Sequence, residues 1–207
     1  MKPILFNTEM VRAILEGRKT VTRRVIKGQD KNTMYAGRCA LGVGLFDKET
    51  CMRVIEPPYK VNDILYVRET WTDWSCAECD CECVPDNGSG GCSAPKYLYK
   101  ATDERPDKGW KPSIHMPKEA ARLFLRVTDV RVERLQDMEL DDFWEEGIKS
   151  YCDVCTVEAT CINCTEQAEE EFKQLWDSTI KKDQAERYSW SANPYVWVIE
   201  FEVVDGK

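Results

Sequence analysis

Hydrophobic and polar positions alternate most cleanly in three stretches of the chain. Leu123 to Leu135 (LFLRVTDVRVERL) is the longest and predicts an extended strand. Asp63 to Glu69 (DILYVRE) predicts another, with Ile64, Tyr66 and Arg68 on one side and Leu65 and Val67 on the other. Tyr195 to Val204 (YVWVIEFEVV) predicts a strand near the C-terminus. Shorter strands are expected at Lys2 to Phe6, across the β-branched TVTRRVI at 20–26, and at 97–100.

Helical spacing appears in three places. Met10, Val11, Ile14 and Leu15 share a face, with Asn7 or Thr8 as the cap and Gly17 as the stop. Leu140, Phe143 and Trp144 form the apolar side of a second helix, capped by Asp137 and ended by Gly147. EQAEEEFKQLWDSTIKK is a third, with Phe172, Leu175, Trp176 and Ile180 inward. Residues 27–51 are Gly-rich and fit neither period, and Pro57-Pro58 marks a loop. Strands and helices without a βαβ rhythm predict an α+β fold, a curved antiparallel or mixed sheet with helices at its edge. The expectation is a single domain over 1–207, with Cys-rich insertions at about 75–95 and 150–165.

Composition sharpens this picture at the cysteines. The 207 residues contain eleven, an odd number, several of them in close pairs. The opening MKPILFNTEM has too short an apolar run for a secretory signal, and no segment approaches the roughly 18 apolar residues that span a bilayer. A cytoplasmic protein is expected, without a membrane partner, and there paired thiols favour metal over disulfides. Cys152-x-x-Cys155 and Cys161-x-x-Cys164 are two knuckle pairs that can grip one tetrahedral ion. Four thiolates leave no open coordination position, so a structural zinc is expected there. Cys76, Cys79, Cys81, Cys83 and Cys92 offer a second set, in which Cys76 and Cys79 form the first pair and Cys81 or Cys83 joins Cys92. An iron–sulfur cluster is the rival for either set. The two loops could instead serve as a protein-docking surface.

Charge is distributed unevenly. The net charge is −8, yet residues 1–31 hold eight Lys or Arg against three acids, while residues 137–172 hold twelve acids and one Lys. An acidic chain is a poor binder of long duplex DNA, because phosphate neutralisation drives that association. A short RNA or a small nucleoside-type molecule at the basic pole fits better. That pole is GRKTVTRR, Gly17 to Arg24, where alternation places Thr20, Thr22 and Arg24 opposite Val21 and Arg23.

ILEGRKTVTRR resembles the opening motif of ASCH-domain proteins. DILYVRETW resembles the family's next block. WKPSIHMPKEAARLFLRVTDVRVERLQDM, EEGI, LWDS and NPYVWVIEFE resemble the version carried by phages and prophages. The likeness spans nearly the whole chain apart from the Cys loops. It implies a PUA-like β-barrel with flanking helices, and a basic cleft that binds RNA or a modified nucleoside or nucleotide. Some small members are amidohydrolases that deacylate 4-acetylcytidine with a Lys base, a Thr nucleophile and a Glu acid. The matching positions are Lys19, Thr22 and Glu146. This chain has Arg23-Arg24 where those enzymes have Ile-Arg. Arg23, Arg24, Glu69, Trp71 and His115 complete the candidate cleft, Trp71 as a surface for stacking on a base and His115 as the sole histidine, in a Pro-flanked loop.

Overall fold

The fold is taken from a computed structural model, which describes residues 1–40, 42–73, 96–104, 109–149 and 162–205. It is an α+β arrangement organised on one five-stranded mixed sheet. Five strands build it: β1 (Lys2–Leu5), β2 (Val21–Val25), β6 (Ile64–Arg68), β9 (Phe124–Arg134) and β10 (Tyr195–Val204). Their order is β1-β6-β9-β10-β2, with β1 and β6 parallel and the other pairs antiparallel. The Gly-rich segment after β2 forms a second sheet of β3 (Met34–Cys39), β4 (Gly42–Asp47) and β5 (Arg53–Ile55). A two-stranded ribbon pairs β7 (Trp71–Asp73) with β8 (Tyr97–Tyr99).

Strand β10 is buried on both faces, which explains its nearly unbroken apolar run. Trp197, Ile199 and Phe201 enter a core with Ile4, Phe6, Leu65, Val67 and Leu125. Helix α1 (Thr8–Leu15) covers that side with Val11 and Ile14, and the Asn7 side chain caps it by accepting from the Met10 N–H at 2.8 Å. Val196 and Val198 enter a second core with Val21, Leu135, Phe143, Phe172, Trp176 and Trp190. The helices on that side are α2 (Leu140–Glu145) and α3 (Ile162–Thr179); a short α4 (Ala185–Tyr188) precedes β10.

Two helix starts differ from expectation. Asp137 closes a 3-10 turn, Leu135–Asp137, and α2 is capped by Glu139, whose side chain and that of Asp142 bond each other's backbone N–H groups. Helix α3 begins at Ile162, so Cys164 belongs to its first turn rather than to a loop. Among the described residues no helix is long and apolar enough to cross a membrane.

Candidate active site

Strand β2 is an edge of the main sheet. Its register against β10 pairs Thr22 with Ile199 and Arg24 with Trp197, and Arg23 with Val198. Thr22 and Arg24 therefore share the face of the first core, and Arg23 the face of the second. An edge strand leaves alternate N–H and C=O groups without a strand partner. Here side chains supply those partners. The Val21 carbonyl accepts from Lys19 Nζ at 2.8 Å, and the Arg23 N–H donates to Glu146 Oε1 at 2.7 Å.

Lys19 and Glu146 meet because two helices end beside one another. Helix α1 stops at Gly17, whose φ of 73° suits glycine, and the Lys19 N–H folds back on Ala13 O at 3.0 Å. Helix α2 stops at Gly147, with φ of 94°. A Cβ at Gly147 would lie 2.8 Å from Ala13 Cβ and 3.3 Å from Lys19 Cβ, so only glycine lets the two helix ends come this close.

The Lys19 side chain is wholly enclosed. Its Nζ donates to Glu146 Oε2 at 2.5 Å, to Glu146 O at 2.9 Å and to Val21 O. Three acceptors match the three N–H bonds of an ammonium. Burial opposes that charge and pulls Lys19 below the ordinary lysine range, helped by Arg24 and Arg23 and resisted by Glu146. The paired state has a useful property. Moving one proton from Lys19 to Glu146 produces a neutral amine and a carboxylic acid without exchanging a proton with solvent.

Thr22 is buried. It lines a throat of about 30 Å³, together with Glu146, Met10, Phe172, Leu175 and Trp176. That is space for a water or a methyl-sized group. Met10, Glu146 and Leu175 also line a cavity of about 580 Å³, which continues over Arg12, Arg18 and Lys149. Small-molecule sites commonly span about 300–1,000 Å³.

The structure thus gathers Lys19, Thr22, Arg23, Arg24 and Glu146. Both arginines turn inward. The Arg23 guanidinium bonds Asp142 at 2.5 Å, and Arg24 donates to Leu5 O at 2.7 Å with its guanidinium 5.1 Å over the Phe6 ring. The remaining cleft residues lie apart from this group. Glu69 is buried in a two-pronged pair with Arg122 at 2.9 and 3.0 Å. Trp71 packs on Met116 and Ala120 in a small separate core, and His115 is exposed in the turn Ser113–His115. Pattern reading took Gly147 as a helix stop and Phe172, Leu175 and Trp176 as an inward helix face without assigning them to the site, and it missed Asp142. The i to i+4 spacing of Asp142 and Glu146 on an acidic helix was the available signal.

Cys76, Cys79, Cys81, Cys83, Cys92, Cys152, Cys155 and Cys161 lie outside the described residues. Cys164 is fully buried on the first turn of α3. Among the described residues no group of three or more His, Cys, Asp or Glu side chains is placed to hold a metal ion.

No protein-family model and no curated protein matches the chain. A solved structure of a DUF984-family protein from Enterococcus faecalis V583 is similar at 10% identity and a TM-score of 0.40, covering 99% of this chain and 82% of that one.

Proposed function

We propose that the protein is a small-molecule amidohydrolase that removes an acyl group from an exocyclic amine of a nucleobase or nucleoside, as in 4-acetylcytidine. The observation that carries this reading is a buried Lys19–Glu146 pair close in the chain to Thr22, which lines the throat together with Glu146. This reading agrees with the likeness of GRKTVT and EEGI to ASCH-type amidohydrolases; the PUA-like barrel which that likeness implies would here be an open variant, since the main sheet ends at β1 and β2.

In the reaction, neutral Lys19 accepts the Thr22 hydroxyl proton while Oγ attacks the acyl carbonyl carbon. The C–N bond breaks as Glu146 gives its proton to the leaving amine. The proton that Lys19 took from Thr22 then passes to the Glu146 carboxylate along their contact, which leaves Lys19 neutral again. Water attacks the threonine ester, Lys19 accepts a water proton and returns it to Oγ, and the carboxylic acid leaves. Binding of RNA or of a nucleotide through a basic cleft draws less support, because Arg23 and Arg24 bond groups of the protein itself. The zinc on Cys152, Cys155, Cys161 and Cys164 would act as a structural clip and take no part in the chemistry.

Purified protein should hydrolyse N4-acetylcytidine or N4-acetylcytosine, releasing acetate. Thr22→Val, nearly isosteric, should lower kcat by about 10²-fold or more. Absence of turnover across a panel of acylated nucleobases, with an authentic deacylase active alongside, defeats the reading.

A further inference from the structure

The Glu146 carboxylate is held at both ends. Oε2 faces Lys19 Nζ, while Oε1 accepts the Arg23 backbone N–H at 2.7 Å and lies 3.4 Å from its guanidinium Nη1. Glu146 sits at the C-terminal end of α2, where the last carbonyls repel a carboxylate, so its orientation depends on partners from outside the helix. Arg23 is such a partner, and its own guanidinium is entirely enclosed. Asp142 fixes that guanidinium through Nη2 at 2.5 Å, with Glu133 of β9 at 3.6 Å. Asp142 stands one helical turn before Glu146, and its other oxygen accepts the Glu139 N–H at 2.9 Å. Glu146, Arg23, Asp142 and the α2 backbone therefore close a ring that ties β2 to the helix carrying the acid.

We propose that Arg23 and Asp142 are positioning residues, which hold Glu146 Oε1 so that Oε2, the oxygen that exchanges its proton, stays on the Lys19 amine. The proposal rests on the amidohydrolase reading for its kinetic consequence, though not for its geometry. Without the guanidinium, Oε1 keeps only the Arg23 backbone N–H, and the carboxylate loses part of its alignment with Lys19 and the leaving amine. A misplacement of this kind costs up to about a hundredfold in rate.

The charges around the pair make the idea testable. Glu146, Arg24 and Arg23 act on Lys19. Glu146, Asp142 and Glu133 surround Arg23, and Arg131 reaches Asp142 at 3.9 Å. Removing the Arg23 charge favours the Lys19 ammonium. Removing the Asp142 charge leaves Arg23 less neutralised and disfavours it.

The test is a titration of Lys19 in the full chain by NMR of ¹³C-labelled lysine side chains, the resonance being assigned by its loss in Lys19→Met. It is paired with pH–rate profiles on N4-acetylcytidine. Arg23→Met should move the Lys19 midpoint up and Asp142→Asn should move it down. Both should lower kcat by roughly ten- to a hundredfold with little change in KM. Arg23→Lys, a conservative variant for the buried site, should restore the midpoint but not kcat, since an ammonium cannot bond Asp142 and Glu146 as the guanidinium does. Midpoints that shift in the same direction, or that stay at the wild-type position, overturn the proposal. Wild-type protein that turns over no acylated base defeats the amidohydrolase reading instead, and the Lys19 titration still judges the ring.

Discussion

Gly147 carries an unusual share of the site for a residue with no side chain. It needs a positive φ, it admits Ala13 and Lys19 within van der Waals limits, and its carbonyl accepts from Arg18. Gly147→Ala adds left-handed backbone strain to a clash between two helix ends. We expect a loss of about 2–4 kcal/mol in denaturant unfolding, together with most of the activity. Arg24 acts by charge rather than by space. Lys19 must be neutral to accept a proton, and Arg24 helps to hold it below the usual lysine range. The rate should therefore rise with pH toward a midpoint under the ordinary value of about 10.4. Arg24→Gln removes a like charge, so the limb should shift to higher pH; an unmoved limb would show that Arg24 has no electrostatic part. At this scale Lys19, Thr22 and Arg24 were legible, because one short motif holds all three and strand alternation orients them. Glu146 was legible only through a family likeness. Asp142 was not legible, since its role depends on a contact with Arg23 across more than a hundred residues of chain.

Among the elements, the long strands followed their alternation closely, as the burial pattern of β6 shows, with Leu65 and Val67 buried and their neighbours half-buried. The hairpin of β3 and β4 did not announce itself. Gly37 and Gly44 face each other in its register, and glycines normally signal loops. Here the reason is contact: a Cβ on Gly44 would lie 2.5 Å from Ile55 O of the neighbouring strand. The start of α3 was hidden for a different reason, because the cysteine spacing around it reads as a metal loop. That helix matters most to access. Phe172, Leu175 and Trp176 wall the throat, and Leu175 also borders the larger cavity. Leu175 is only half-buried, so its truncation should cost less than the 2–5 kcal/mol of a full core site. Leu175→Ala should raise kcat/KM for N4-butyrylcytosine relative to N4-acetylcytosine. An unchanged ratio would remove α3 from substrate selection.

For the whole molecule, the decisive fact is that Lys19, Arg23 and Arg24 of the basic motif bond groups of the protein itself. Ligand capture should then be nearly independent of salt, unlike a phosphate-binding surface, whose affinity falls steeply as salt rises. The same inward organisation links Cys164 to the throat. Cys164, Ala168, Phe172 and Trp176 follow one another at intervals of four along α3, and all four are buried. The first is a candidate metal ligand and the last two are throat wall. An ion held by Cys164 and its knuckle partners would anchor the start of the helix whose middle shapes the site. Each side has its own support, since the second core also includes Val21, Leu135 and Val198 from the sheet region. Metal removal should therefore loosen α3 without unfolding the sheet. Elemental analysis should find zinc bound to the chain, and a strong chelator should raise amide exchange in the first turns of α3 while leaving β9 and β10 protected. Iron with labile sulfide would replace the zinc clip with a redox centre. Zinc that is present but can be stripped with no change in α3 exchange would disconnect the loop from the throat.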